Sequence, residues 1–243
     1  MVVLHGMLGS SRNWMSAGAD LAQDWHVHAL DQRNHGKSPH AEPMNYDALV
    51  GDVLAWMDAR AIDQIDLMGH SMGGKVSMVL AIQHPERVRR LIVVDIAPKD
   101  YLSHGHRAEF AAMHELRLNE IRSRGEAELR MESRVADWGM RKFITTNLER
   151  DEANGGWRWI INLPVITAAL PDLERNPLAP TDTFDGPTLF IAGGKSRYIA
   201  PADHAVIRRH FPSVQIETIA NSGHNPHMEA RTDLVQCVRA HAG

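Results

Sequence analysis

The chain has 243 residues, 44% hydrophobic and 23% charged, which suits one large domain or at most two small ones and excludes a disordered chain, a collagen-like fibre and a disulfide-stapled mini-protein. Lys and Arg number 26 against 30 Asp and Glu, a net charge of −4; a chain that grips a phosphate backbone is usually basic, so nucleic acid is not the expected partner. Cys237 is the only cysteine and cannot close an internal disulfide, the longest apolar runs fall far short of the roughly 18 residues of a membrane span, and no basic-then-apolar leader opens the chain, so a cytoplasmic location is expected.

Short apolar runs alternate with helical patterns. Residues 2–4 read as a strand ending at His5-Gly6, 11–23 as a helix, and 26–30 as a strand ending at Asp31. Residues 46–60 read as a helix, with Leu49, Val53, Trp56 and Met57 on one face at helical spacing. A strand over 65–68 and a helix over 72–83 follow, the helix stopping at His84-Pro85. Residues 91–94 form a wholly apolar strand that runs into Asp95. Further strands are expected at 188–192 and 214–219, and further helices at 201–210 and 229–240. Such alternation predicts an α/β fold, a mostly parallel sheet covered on both faces, with sites at the carboxyl ends of its strands.

Residues 98–183 break the rhythm. No convincing strand is visible there, helical patterns cover 110–122 and 126–134, and Pro164, Pro171, Pro177 and Pro180 punctuate the second half. Some 80 residues is too long for one crossover. The expectation is a helical lid over 98–183, inserted in a core formed by 1–97 and 184–243.

Gly69-His70-Ser71-Met72-Gly73 fits G-x-S-x-G between a strand and a helix, the context that gives the motif chemical meaning. A sharp turn would expose the Ser71 hydroxyl, glycines would admit neighbouring backbone, and the next helix would point its N-terminus at developing negative charge. A serine needs a base to take its proton. His224, in the loop after the last strand, is the candidate, with His227 as its rival. The orienting acid is expected in Asp95, with Asp203 as the fallback, because the strand after the insertion leads into Gly193-Gly194-Lys195-Ser196-Arg197-Tyr198, which holds no carboxylate. Acyl transfer also needs two donors for an oxyanion. The Met72 N–H, just after the nucleophile, and the Met7 N–H, in the His5-Gly6-Met7-Leu8-Gly9 loop, are the expected pair.

Together, H-G-M-L-G-S at 5–10, D-Q-R-N-H-G-K-S at 31–38, G-H-S-M-G-G-K at 69–75, V-D-I-A-P at 94–98 and G-G-K-S-x-Y at 193–198 resemble the α/β-hydrolase superfamily, and within it the YbfF-type esterases and their abhydrolase-domain relatives. The resemblance covers essentially the whole chain. It implies an α/β-hydrolase fold, hydrolysis of short- to medium-chain acyl esters and possible acyl thioesters, an acid at Asp95, and an accessory serine at Ser196. In that group a leading hairpin precedes the H-G strand; this chain begins inside that strand, so the hairpin is expected to be missing.

The 15 histidines include no H-E-x-x-H, and no nucleotide-binding glycine motif occurs, so neither a metal nor another cofactor is expected. The pairs His26/His28 and His104/His106 read as packing residues and as rim residues of a pocket, respectively. Trp138, Trp157 and Trp159, with Met113, Met131 and Met140, read as packing within the insertion. The expected partner is a small acyl ester. A C–C bond hydrolase, a perhydrolase and a non-catalytic ligand-binding homologue remain open as alternatives on the same scaffold.

Overall fold

The computed structural model describes residues 1–102, 106–153 and 155–242. In chain order the elements are β1 (Val2–Leu4), α1 (Met15–Leu21), β2 (His28–Leu30), α2 (Tyr46–Asp58), β3 (Ile65–His70), α3 (Met72–Gln83), β4 (Val88–Val94), α4 (Arg107–Glu115), α5 (Arg124–Arg130), α6 (Trp138–Thr145), β5 (Leu148–Arg150), β6 (Trp157–Trp159), α7 (Leu163–Leu173), β7 (Thr188–Gly193), α8 (His204–His210), β8 (Val214–Ile219), α9 (Pro226–Glu229) and α10 (Arg231–Ala242).

Six of these strands form one parallel sheet in the order β2-β1-β3-β4-β7-β8. Alternate side chains of a strand face opposite sides, and here both sides are apolar. Val2, Leu4, Leu67, Leu91, Val93 and Phe190 join the cluster built with α2 and α3. Val3, Met68, Ile92, Val94, Leu189 and Ile191 join a second cluster with Trp14 and Leu21 near α1 and with Leu234 and Val238 of α10. This two-sided burial is why β4 reads as an unbroken apolar run. The chain runs from β1 outward to β2, then returns past β1 to β3. The strand order therefore reverses between β1 and β3, and a crevice opens there at the carboxyl ends.

Local chemistry sets the boundaries. Asn45 caps α2, its side chain accepting from the Ala48 N–H at 2.9 Å. At the other end of α3, Pro85 has no N–H to continue the helix. Strand β3 runs two residues beyond its apolar stretch, to His70, because pairing with β4 continues to the register His70↔Val94. Strand β2 is shorter than its sequence pattern, starting at His28 and leaving His26 exposed. The two rings still pack, with centroids 4.4 Å apart.

Among the described residues, the segment between β4 and β7 holds four helices and, against the sequence expectation, an antiparallel hairpin of β5 and β6 with the register Leu148↔Trp159. Each strand spans only three residues, too short for a visible alternation. Met113 and Met131 are buried in the main core, and Trp157 and Trp159 pack on a satellite cluster around Leu116, Ile121, Ala127 and Leu148. Trp138 departs from the packing expectation: it is exposed at the start of α6, with the Lys142 ammonium 3.9 Å above its ring. Among the described residues no helix is long and apolar enough to cross a membrane.

Candidate active site

Ser71 follows β3 directly and sits at φ 52°, ψ −118°, backbone that a non-glycine residue rarely adopts. Space for that turn comes from Gly69, where a Cβ would collide with the Gly73 carbonyl. Because His70 and Val94 are register partners, the residues that follow them, Ser71 and Asp95, leave the sheet side by side. The Ser71 N–H donates to the Val94 carbonyl at 3.1 Å. Asp95 also has a positive φ, 50°.

The loop after β8 brings the imidazole. His224 Nδ1 lies 2.8 Å from Asp95 Oδ2, and His224 Nε2 lies 3.2 Å from Ser71 Oγ. A carboxylate accepts, so Nδ1 carries the proton and the Nε2 lone pair faces the hydroxyl. The loop crosses β7 where a Cβ on Gly193 would run into the Gly223 carbonyl. Asp95 is fully buried, a costly place for a carboxylate without donors. It has three: His224, the Gly193 N–H at 2.9 Å on Oδ1, and the Ser196 hydroxyl on Oδ2. Ser196 thus hydrogen-bonds to the acid.

The alternatives lie elsewhere. Asp203 Oδ2 accepts from Lys99 Nζ at 2.5 Å and from the Ala200 N–H at 2.7 Å. His227 is buried between Trp14, 4.4 Å away centroid to centroid, and His70, at 4.6 Å. Burial lowers its pKa to about 3, so it stays neutral.

Met7 and Met72 both border a small cavity beside Ser71. Met72 opens α3, where the first N–H groups have no acceptor within the helix. The Met7 N–H belongs to the Gly6–Met7 peptide, whose carbonyl accepts from His5 Nδ1 at 2.8 Å and from the Gly9 N–H at 3.0 Å. In a trans peptide the N–H points opposite to the carbonyl, so these two bonds fix its direction. The Gln32 N–H donates to His5 Nε2 at 3.0 Å, which places the His5 proton on Nδ1.

Two cavities meet at Ser71. The small one, about 50 Å³, is lined by Met7, Met72, Ile96, Tyr101, Leu170 and Tyr198 among others. The large one, about 590 Å³, is bordered by His224, Met140 and Phe143 of α6, and Met228. His106 borders both; His104 lies outside the described residues. Among the described residues no group of three or more His, Cys, Asp or Glu is placed to hold a metal ion.

Sequence reasoning missed the groups that hold the imidazole. Tyr198 stacks on His224 with centroids 3.7 Å apart and planes 14° from parallel. Tyr101 fixes it by donating to the Tyr198 carbonyl at 2.6 Å. His70 Nε2 lies 2.7 Å from the His224 carbonyl and donates to it. Tyr198 closes the G-G-K-S-x-Y motif and His70 is the variable residue of G-x-S-x-G, but neither position discloses in sequence what it faces.

A family model for the alpha/beta hydrolase fold matches residues 1–231. The sn-1-specific diacylglycerol lipase ABHD11 of Mus musculus is 37% identical over 98% of this chain and 79% of its own length. Esterase YbfF of Escherichia coli is 32% identical over 98% of this chain and 91% of its own length. Among solved structures, a marine microorganism esterase superposes with a TM-score of 0.94 at 32% identity, covering 98% of this chain and 93% of that one.

Proposed function

The chain belongs to the alpha/beta-hydrolase family and is a carboxylic ester hydrolase, and we propose that Ser71, His224 and Asp95 carry its chemistry through an acyl-enzyme. The continuous path of hydrogen bonds from Ser71 Oγ through both imidazole nitrogens to a buried carboxylate carries this reading. Ser71 attacks the acyl carbon as His224 Nε2 takes its proton. The Met7 and Met72 N–H groups hold the tetrahedral oxyanion; losing one such donor costs about 3–4 kcal/mol of barrier. Asp95 keeps the imidazole in the tautomer that accepts from serine and stabilises the imidazolium. His224 then protonates the departing alkoxide, and water activated by the same nitrogen releases the acid. Ser196, bonded to the acid, is an accessory residue.

The leaving group must sit where His224 can protonate it, and His224 borders the large cleft. The acyl chain then enters the small cavity on the Met7 and Met72 side. One water needs about 10–15 Å³, so a space of about 50 Å³ holds a few carbon atoms. The substrate class is an ester of a short acyl group with a bulky alcohol or thiol.

A fluorophosphonate probe is expected to label wild type, and Ser71→Ala to lose both labelling and at least about 10⁴-fold of turnover. A folded wild type that fails to label ends the serine-nucleophile reading. Across p-nitrophenyl esters, kcat/KM is expected to peak at acetyl to butyryl and fall for octanoyl; a rising series would overturn the acyl assignment.

A further inference from the structure

Leu8, one residue beyond the Met7 donor, has φ 60°, a left-handed conformation that its Cβ resists. Its side chain is buried, and two side chains from distant segments hold its backbone. The Leu8 N–H donates to His35 Nε2 at 3.2 Å, and the Leu8 carbonyl accepts from Asn147 Nδ2 at 2.8 Å.

We propose that His35 and Asn147 are positioning residues that hold the oxyanion loop in register, so that the insertion, through Asn147, tunes the reactivity of Ser71 from a position that does not touch substrate. This inference rests on the reading of Ser71 as a nucleophile with Met7 as an oxyanion donor. Three consecutive peptides are each anchored. His5 and Gly9 hold Gly6–Met7, His35 holds Met7–Leu8, and Asn147 holds Leu8–Gly9. Releasing His35 or Asn147 lets Leu8 relax toward ordinary φ, which pulls the Gly9 N–H off the Gly6 carbonyl and so frees the Met7 N–H to turn. His35 is suited to the task because its Nδ1 donates to the Arg33 carbonyl at 3.0 Å, leaving Nε2 as an acceptor. Burial keeps the ring neutral, its pKa lowered to about 3.

Asn147 lies between α6 and β5. Its N–H donates to the Ile144 carbonyl at 3.0 Å and its carbonyl accepts from the Ile160 N–H at 2.8 Å, so the insertion fixes it at both ends. The same part of the insertion grips the 31–41 loop, which carries His35. The Asn162 N–H donates to the Asn34 carbonyl at 2.9 Å, and His40 Nε2 donates to the Ile160 carbonyl at 2.8 Å. Neither His35 nor Asn147 lines either of the two cavities described at Ser71. A change in either should alter the transition state and leave substrate binding alone.

The test compares wild type, Asn147→Ala, Asn147→Asp and His35→Ala. Asn147→Asp keeps the shape but cannot donate. The readouts are the second-order rate of fluorophosphonate labelling, and kcat and KM on p-nitrophenyl acetate. The expected result is labelling and kcat lowered together by about 10- to 100-fold, with KM within about twofold of wild type. Variants that lose thermal stability yet label within twofold of wild type overturn the proposal. A wild type that does not label removes the nucleophile reading and this inference with it. Should every variant fail to fold, the nitrogen-15 spectrum of wild type at neutral pH decides. The proposal requires an unprotonated His35 Nε2 and a Leu8 amide protected from exchange, and a protonated Nε2 or a freely exchanging amide refutes it.

Discussion

Asp95 Oδ2 serves two donors, the His224 ring and the Ser196 hydroxyl, and this sharing decides what substitution should do. In Asp95→Asn the side-chain amide can turn its NH₂ toward Nδ1, which stabilises the imidazole tautomer whose Nε2 already carries a proton. Serine then has no acceptor, and kcat is expected to fall by about 10⁴-fold while the fold persists. Steady-state kinetics with a folded-state check by circular dichroism measure this; a loss under tenfold would mean the acid does not set the tautomer. Residues at this site were legible in the sequence to the extent that their role is local. Ser71 is announced by the turn that strains it, and Asp95 by an apolar strand running into a carboxylate. Tyr198, His70 and Asn147 were not legible, because each acts on a group far away in sequence and nothing in its own neighbourhood specifies that approach.

Elements with a full turn or several strand residues to bury left a clear pattern, which is why α2, α3 and β4 could be read within a few positions. The β5–β6 hairpin could not, since three residues per strand carry no period. Nor does sequence show how the insertion is tied down. Lys75, buried on α3, donates through Nζ to the carbonyls of Leu173, Glu174 and Arg175 at 3.3, 3.1 and 2.5 Å. These carbonyls lie at the end of α7, beyond the helix's own hydrogen bonds, where a cation is favoured. Tyr46 adds a hydrogen bond to the Leu173 carbonyl at 2.6 Å. Burial nonetheless lowers the Lys75 pKa to about 7. An unfolded lysine titrates near 10.4, so between these values the unfolded chain holds the extra proton and folding gains as pH rises. Above about pH 10 the buried tyrosines Tyr46 and Tyr101, whose pKa values are raised by burial, begin to cost stability. The clean window is pH 7 to 9. There the unfolding free energy of wild type is expected to gain on that of Lys75→Met by roughly 1 kcal/mol per pH unit. Urea titrations at three pH values measure the difference, and a gap that does not move with pH would place the Lys75 pKa near its ordinary value.

Across the molecule, four buried histidines surround the site on the core side: His5, His35, His70 and His227. Desolvation lowers the pKa of each, to about 3 for His35 and His227. Each is needed neutral, as an acceptor for the Gln32 or Leu8 N–H or as a ring packed among other rings. An unfolded histidine takes its proton near pH 6.5. Below that value the unfolded state binds protons that the fold refuses, so stability is full above about pH 6.5 and drains as the pH falls toward the folded values. One such group costs up to about 1.4 kcal/mol per pH unit. His35 and His227 together therefore remove up to about 4 kcal/mol by pH 5, a large share of a total stability of about 5–15 kcal/mol. His227 isolates one share of this effect, because its Nδ1 has no hydrogen-bond partner in the fold. In His227→Gln the slope of unfolding free energy against pH between 6.5 and 5 should shrink by about one proton, whatever the substitution does to stability at neutral pH. An unchanged slope would mean that His227 is protonated in the folded protein, which is incompatible with its position between Trp14 and His70.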